Sequence, residues 1–182
     1  GSWDTTTANW TGALWANGNQ AVFGGTAGST ITLSSANITA TSLTFNVTGD
    51  TIAASSTYTL TPVSVSVGAG LLATISAPVA GTGLTKTGDG TLILTAASNS
   101  FSGTTAVAAG TLRLAGTQSS TAYAVTGGTL QVDAGAGGVL PSASSLTLGA
   151  GFAGARGAFI YDNAGATGAT SQTLASLTTQ AG

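Results

Sequence analysis

Cysteine, histidine, methionine and glutamate are missing from this 182-residue chain, and lysine appears once, at Lys86. Charged residues make up 4% of it. Without Cys, no disulfide braces the fold, and the redox compartment cannot be read from thiol usage. Without His and Cys, the usual zinc sites and the common nucleophile–base pairs are excluded. Three cations cannot form the basic footprint that nucleic acid requires. A net charge of −2 is too small to steer a charged partner. No apolar run approaches the length of a membrane span, and no basic segment with an apolar core marks a leader. With no Met at position 1, Gly1-Ser2 reads as a processing site or a junction, and the chain as a mature product or a cut piece.

Other residues fill the space. Hydrophobic residues reach 42%, enough for a core, and there are 28 glycines. Thr, Ser and Ala are abundant, whereas good helix formers other than Ala and Leu are almost absent. Thr and Val favour strands, and Gly favours turns. Gly, Ser and Thr also dominate disordered chains, but those lack regularly placed Leu, Val and Ile.

Regular placement is clearest in one phrase, Gly-Thr-Leu-x-Leu. It occurs at Gly90–Leu94 and Gly110–Leu114, with weaker copies at Gly128–Val132 and Ser144–Leu148, so the starts lie 20, 18 and 16 residues apart. A period near 20 built of strand residues and glycine turns predicts a coiled stack of short strands. Superposed, the copies align Leu92, Leu112, Leu130 and Leu146 at one position. Two residues later they align Leu94, Leu114, Val132 and Leu148. Alternation places these two positions on one face, which their apolar character makes the inner one. Between them stand Ile93, Arg113, Gln131 and Thr147, a set that fits an outer face. The preceding Thr91, Thr111, Thr129 and Ser145 also point out, as a single column, where an ice-binding plane needs two.

Strand candidates run almost end to end: Thr30–Leu33, Ser42–Val47, Tyr58–Thr61, Val63–Val67, Leu71–Ser76, Thr91–Thr95 and Thr104–Val107. They continue through Thr111–Leu114, Ala122–Thr126, Thr129–Asp133, Ser145–Leu148, Ala158–Tyr161 and Thr173–Leu177. Glycine-rich turns separate them, as at Gly88-Asp89-Gly90 and Gly127-Gly128. No helix lies between them to make ordinary crossovers. The expectation is an all-β parallel β-helix, or β-solenoid, of about 20 residues per turn. It would make about eight or nine turns in a rod roughly 40 Å long at the usual strand spacing. An antiparallel sandwich is the alternative; it explains the strands but not the superposed phrases. Residues 1–29, with their tryptophans, read as an N-terminal aromatic capping segment and residues 30–182 as the solenoid, with the clearest repeat at 83–116. No Gly-Thr-Leu phrase marks the register before residue 80.

The stretch Gly83–Gly116 resembles the autotransporter-associated β-strand repeat, or passenger-associated transport repeat, of bacterial surface proteins. The resemblance is carried by Leu84-Thr85-Lys86-Thr87, Gly88-Asp89-Gly90-Thr91-Leu92-Ile93-Leu94, Asn99-Ser100-Phe101-Ser102-Gly103 and Ala109-Gly110-Thr111-Leu112-Arg113-Leu114. It implies a right-handed β-helix, secreted and displayed at the cell surface, in which the repeat is scaffold and carries no catalytic residue.

Five carboxylates remain as candidate chemistry: Asp4, Asp50, Asp89, Asp133 and Asp162. A polysaccharide-cleaving β-helix needs acids clustered on neighbouring turns. These stand singly in sequence, beside glycine or in expected turns, and read as turn residues bonding their own backbone. The repeated Asp of a calcium-binding nonapeptide is absent, and no glycine pair has phosphate-loop spacing, so no metal or cofactor is expected. Lys86, Arg113 and Arg156 read as solvated charges. Trp3, Trp10 and Trp15, with Phe23, Phe45 and Tyr58, read as a plug on the end of the core or as a sugar-stacking platform. Asn99 reads as a turn cap or ladder residue, with Phe101 packed beneath it. Asn9-Trp10-Thr11, Asn37-Ile38-Thr39 and Asn46-Val47-Thr48 match the glycosylation acceptor pattern, as chance allows in a Thr-rich chain.

These residues point to a non-enzymatic extracellular structural solenoid: a surface stalk, an adhesin scaffold or a self-assembling fibre subunit. Its partners would be further copies meeting head to tail, flanking repeats of a longer chain, or a surface glycan. A carbohydrate-binding or carbohydrate-cleaving β-helix is one rival. A passenger segment that aids its own export is another.

Overall fold

Alternating Thr, Val, Ile and Leu fold this chain into short strands that all run the same way. The computed structural model describes residues 1–8, 10, 12–149 and 156–180. One eight-stranded sheet contains β1 (Ser2–Trp3), β3 (Thr30–Leu33), β5 (Asp50–Ala54), β7 (Leu72–Ile75), β9 (Thr91–Leu94), β12 (Thr111–Leu114), β15 (Thr129–Asp133) and β17 (Ala158–Asp162). A second contains β2 (Asn19–Phe23), β4 (Ile38–Phe45), β6 (Leu60–Val67), β8 (Leu84–Thr87), β11 (Thr104–Val107), β14 (Ala122–Val125), β16 (Ser145–Leu148) and β18 (Ser176–Thr179). A short pair, β10 (Ser98–Asn99) and β13 (Thr117–Gln118), forms a third side. Sequence order alternates between the two long sheets, and each strand pairs in parallel with its equivalent one circuit on. The fold is an all-β solenoid, not an antiparallel sandwich. One 3-10 turn, Ala134–Ala136, is the helical structure among the described residues.

Register fixes the interior. On the first sheet, Ala73, Leu92, Leu112, Leu130 and Phe159 are successive partners. Beside them run Ile75, Leu94, Leu114, Val132 and Tyr161. Leu92, Leu94, Leu112, Leu114, Leu130 and Val132 are fully buried. On the second sheet Leu43, Val65, Lys86, Val107, Val125 and Leu148 form one inward column. Removing each buried Leu, Ile or Val of these columns from water stabilises the stack by about 1.5–3 kcal/mol.

The fourth phrase departs from the expected register. Ser145–Leu148 belongs to the second sheet, where Leu146 pairs Tyr123 and Leu148 pairs Val125. Leu146 therefore does not stand over Leu130, and Ser145 does not continue the threonine column; Phe159 and Ala158 take those places. Both sheets turn an alternating apolar face to one interior, so Leu-x-Leu marks a face without saying which sheet. In the first sheet the phrase also follows a column of stacked glycines. A Cβ on Gly90, Gly110 or Gly128 would collide with a backbone carbonyl oxygen of the rung before it, those of Gly68, Gly90 and Gly110 respectively. Ser144 has no place in that glycine column.

Candidate functional site

Three side-chain clusters could carry chemistry or recognition. The first lies at the N-terminal end of the interior. Trp3 packs 5.0 Å from both Trp10 and Trp15, ring centre to ring centre, and Trp10 lies 4.9 Å from Trp15. Phe23 and Phe45 stack at 4.8 Å beneath them. Trp3 and Trp15 are buried, so their faces are covered by other rings; Trp10 is half-buried. Trp15 Nε1 donates to Asn17 Oδ1 at 3.1 Å, and that oxygen also accepts the Thr39 N–H at 2.9 Å. One circuit on, Asn37 Oδ1 accepts the Thr59 N–H in the same way, which engages the amide of that glycosylation triplet. Asn9 and Thr11 of the first triplet lie outside the described residues. Beside the cluster a cavity of about 270 Å³ is lined by Trp10, Val22, Phe23, Ile31 and Asp50, among others.

Asp4, in the same end, is a turn residue as expected from sequence. Its Oδ1 accepts the N–H groups of Thr6 at 2.8 Å and Thr7 at 2.6 Å, and Oδ2 accepts the Ser34 hydroxyl at 3.1 Å. These bonds, led by that from Thr6, hold its pKa down at about 2 against the opposing effect of burial. Asp50 is different. It opens β5, faces inward over Ala73, and is buried while its Oδ1 accepts the Ser29 N–H at 2.9 Å.

The second cluster is the nearest approach to a catalytic pair. Asp133 and Asp162 are partners on neighbouring rungs, a juxtaposition their 29-residue separation hides in sequence. Arg113 donates from Nε at 2.9 Å, and from Nη2, to Asp133 Oδ2, so it is ion-paired and not simply solvated. Asp133 Oδ1 caps the 3-10 turn by accepting the Ala136 N–H at 3.1 Å. Asp162 accepts Gln131 Nε2 at 2.9 Å and the Ala164 N–H at 2.9 Å. Each oxygen of the two carboxylates accepts from the chain itself. Among the described residues no three His, Cys, Asp or Glu side chains gather to hold a metal ion.

The third cluster is a correction. Lys86, expected on the surface, is fully buried in the column between Val65 and Val107. Its Nζ donates to the carbonyl oxygens of Thr87 at 2.7 Å, Gly88 at 2.7 Å and Ala109 at 3.3 Å. Burial pushes its pKa down to about 8, and Asp89 opposes that shift. Arg156, by contrast, is exposed.

The corner between the sheets holds further inward polar groups. Asn99 is buried, and its Oδ1 accepts the Val79 N–H at 2.9 Å. Gln118, its register partner, donates to Gly116 O at 2.7 Å. Phe101 is fully buried next to them.

Among known proteins, the family model of the passenger-associated-transport-repeat matches residues 84–114, under a fifth of the chain. That match spans β8 to β12, two consecutive circuits. No curated protein and no solved structure matches the chain. Among the described residues no helix is long and apolar enough to cross a membrane, which says nothing of a β-barrel.

Proposed function

We propose that this chain is a non-enzymatic structural β-solenoid, a stiff shaft segment of an exported bacterial surface protein. The observation that supports it is the coincidence of two continuous eight-stranded parallel sheets with a passenger-associated repeat lying in register inside them. In this reading the interior columns supply stiffness, and the Thr, Ser and Ala coat gives an uncharged exterior. Residues 1–29 act as the cap, since their rings bury one another at the first rungs. The natural partners are further rungs of the same kind, from flanking repeats or from a second copy, meeting β17 and β18, the last strand of each sheet among the described residues.

The test is display. A folded reporter is placed ahead of the chain, and the fusion is joined to a secretion signal and an outer-membrane barrel. Reporter at the cell surface, held at a distance that grows when the solenoid is duplicated, is the expected result. Retention inside the cell, or a reach that duplication leaves unchanged, refutes the shaft role. Light scattering of the purified chain separates the two kinds of partner: growth with concentration supports self-stacking, and a strict monomer leaves flanking repeats.

A further inference from the structure

A buried lysine with a backbone cage around its ammonium is the feature that the scaffold reading does not use. The cage is built from both circuits of the matched segment. Thr87 ends β8 and Gly88 follows it, while Ala109 lies beyond the end of β11, one circuit later. We propose that Lys86 is an internal cationic clasp that joins the two circuits of 84–114 into one folding unit, and that its carbonyl cage is a site for a primary ammonium ion.

The chemistry fits the number of groups. A protonated lysine has three N–H donors and no acceptor, and three carbonyl oxygens receive them. A neutral amine would offer two donors and turn a lone pair toward the third oxygen. Few other charges bear on the site. Asp89, exposed on the following turn, attracts it. The packed strands β6, β9 and β11 carry no titratable side chain. Arg113 of β12 is paired with Asp133, and Tyr123 of β14 donates its hydroxyl to Ser120 O at 3.0 Å. An apolar side chain at this place would match Val65 and Val107 but would leave the three carbonyls without this partner. A charge inside an apolar column is costly unless its hydrogen bonds are met, and here they are met across the two circuits. The inference concerns how the repeat folds, and it stands or falls separately from the surface role.

Because Lys86 is the sole lysine, a chain carrying 13C at lysine Cε gives one side-chain resonance. The clasp predicts the chemical shift of a protonated amine in the folded protein at about pH 7, with its three donors held by the carbonyls, and the shift of a neutral amine there overturns it. Lys86→Ala removes the length of an n-propylammonium ion. Refolding this variant in n-propylammonium chloride should raise its Tm in a saturable way, by several degrees over equal sodium chloride. Lys86→Met, which fills the space, should not respond. Equal Tm in the two salts, or an equal response from Lys86→Met, overturns the site. If Lys86→Ala folds in neither salt, amide exchange in Lys86→Met decides. Protection lost at least tenfold in both 84–94 and 104–114, with 38–67 unchanged, supports the clasp. Unchanged protection in either circuit of the repeat overturns it.

Discussion

At the scale of single residues, three ionisable groups set how this solenoid responds to pH. Asp4 has a folded pKa near 2, below its ordinary 3.8. Its contribution is present above about pH 4 and is lost as pH falls toward 2, because the unfolded chain takes up the proton first. Urea titrations between pH 5 and 2 should show this loss, and Asp4→Asn should flatten it. Lys86 has the opposite sense. Its pKa falls from 10.5 to about 8 on folding, so a burial penalty present below pH 8 is relieved as pH rises toward 10.5. Stability should therefore climb by at most about 3 kcal/mol across that window, and Lys86→Met should remove the climb. Tyr123 turns the slope back at the alkaline end. Burial raises its pKa above 10.0, so the stability it gives below pH 10 is lost as the phenol ionises.

At the scale of elements, the strand that follows each stacked glycine is the unit of the fold. Gly110 combines φ +62° with carbonyls of Gly90 and Gly88 pressed against where a Cβ would sit. Gly110→Ala should cost about 1–3 kcal/mol from strain and displaced backbone. Gly168→Ala, which meets nothing and needs no left-handed φ, should stay within about 0.5 kcal/mol by the same denaturant measurement. Leu112→Ala, in the middle of its column, should cost about 2–5 kcal/mol. How far elements could be read from sequence follows a physical line. Thr30–Leu33, Thr104–Val107, Thr111–Leu114, Thr129–Asp133 and Ser145–Leu148 have the bounds their alternation predicts. Strands β1, β2, β5, β8, β10 and β13 were not foreseen, and the last four each carry a polar residue inward: Asp50, Lys86, Asn99 and Gln118. Corners of a solenoid aim backbone N–H and C=O groups at the interior, so a polar side chain there has partners that alternation does not reveal. The Asp133–Asp162 pairing escaped for a different reason, since the circuit between them is longer than each of those from β3 to β15.

At the scale of the whole molecule, a stack with contacts only between neighbouring rungs should not unfold evenly. The interior from β4 to β15 is continuous and buried, whereas every residue of β18 is exposed and Leu177 stands 59% open. Amide exchange should therefore begin at 176–179 and be slowest in 92–132; uniform exchange along the chain would contradict the column architecture. The resemblance seen in 84–114 located the middle of the stack and said nothing of its ends, because tryptophans pack at the first rungs, where the repeated phrase does not occur. The way the few cations are placed has a last consequence. Trypsin cuts after lysine and arginine, yet Lys86 is sealed inside and Arg113 is held by Asp133. Arg156 is the exposed one of the three, so trypsin should cut the folded chain there first, whereas an unfolded copy would meet it at three places.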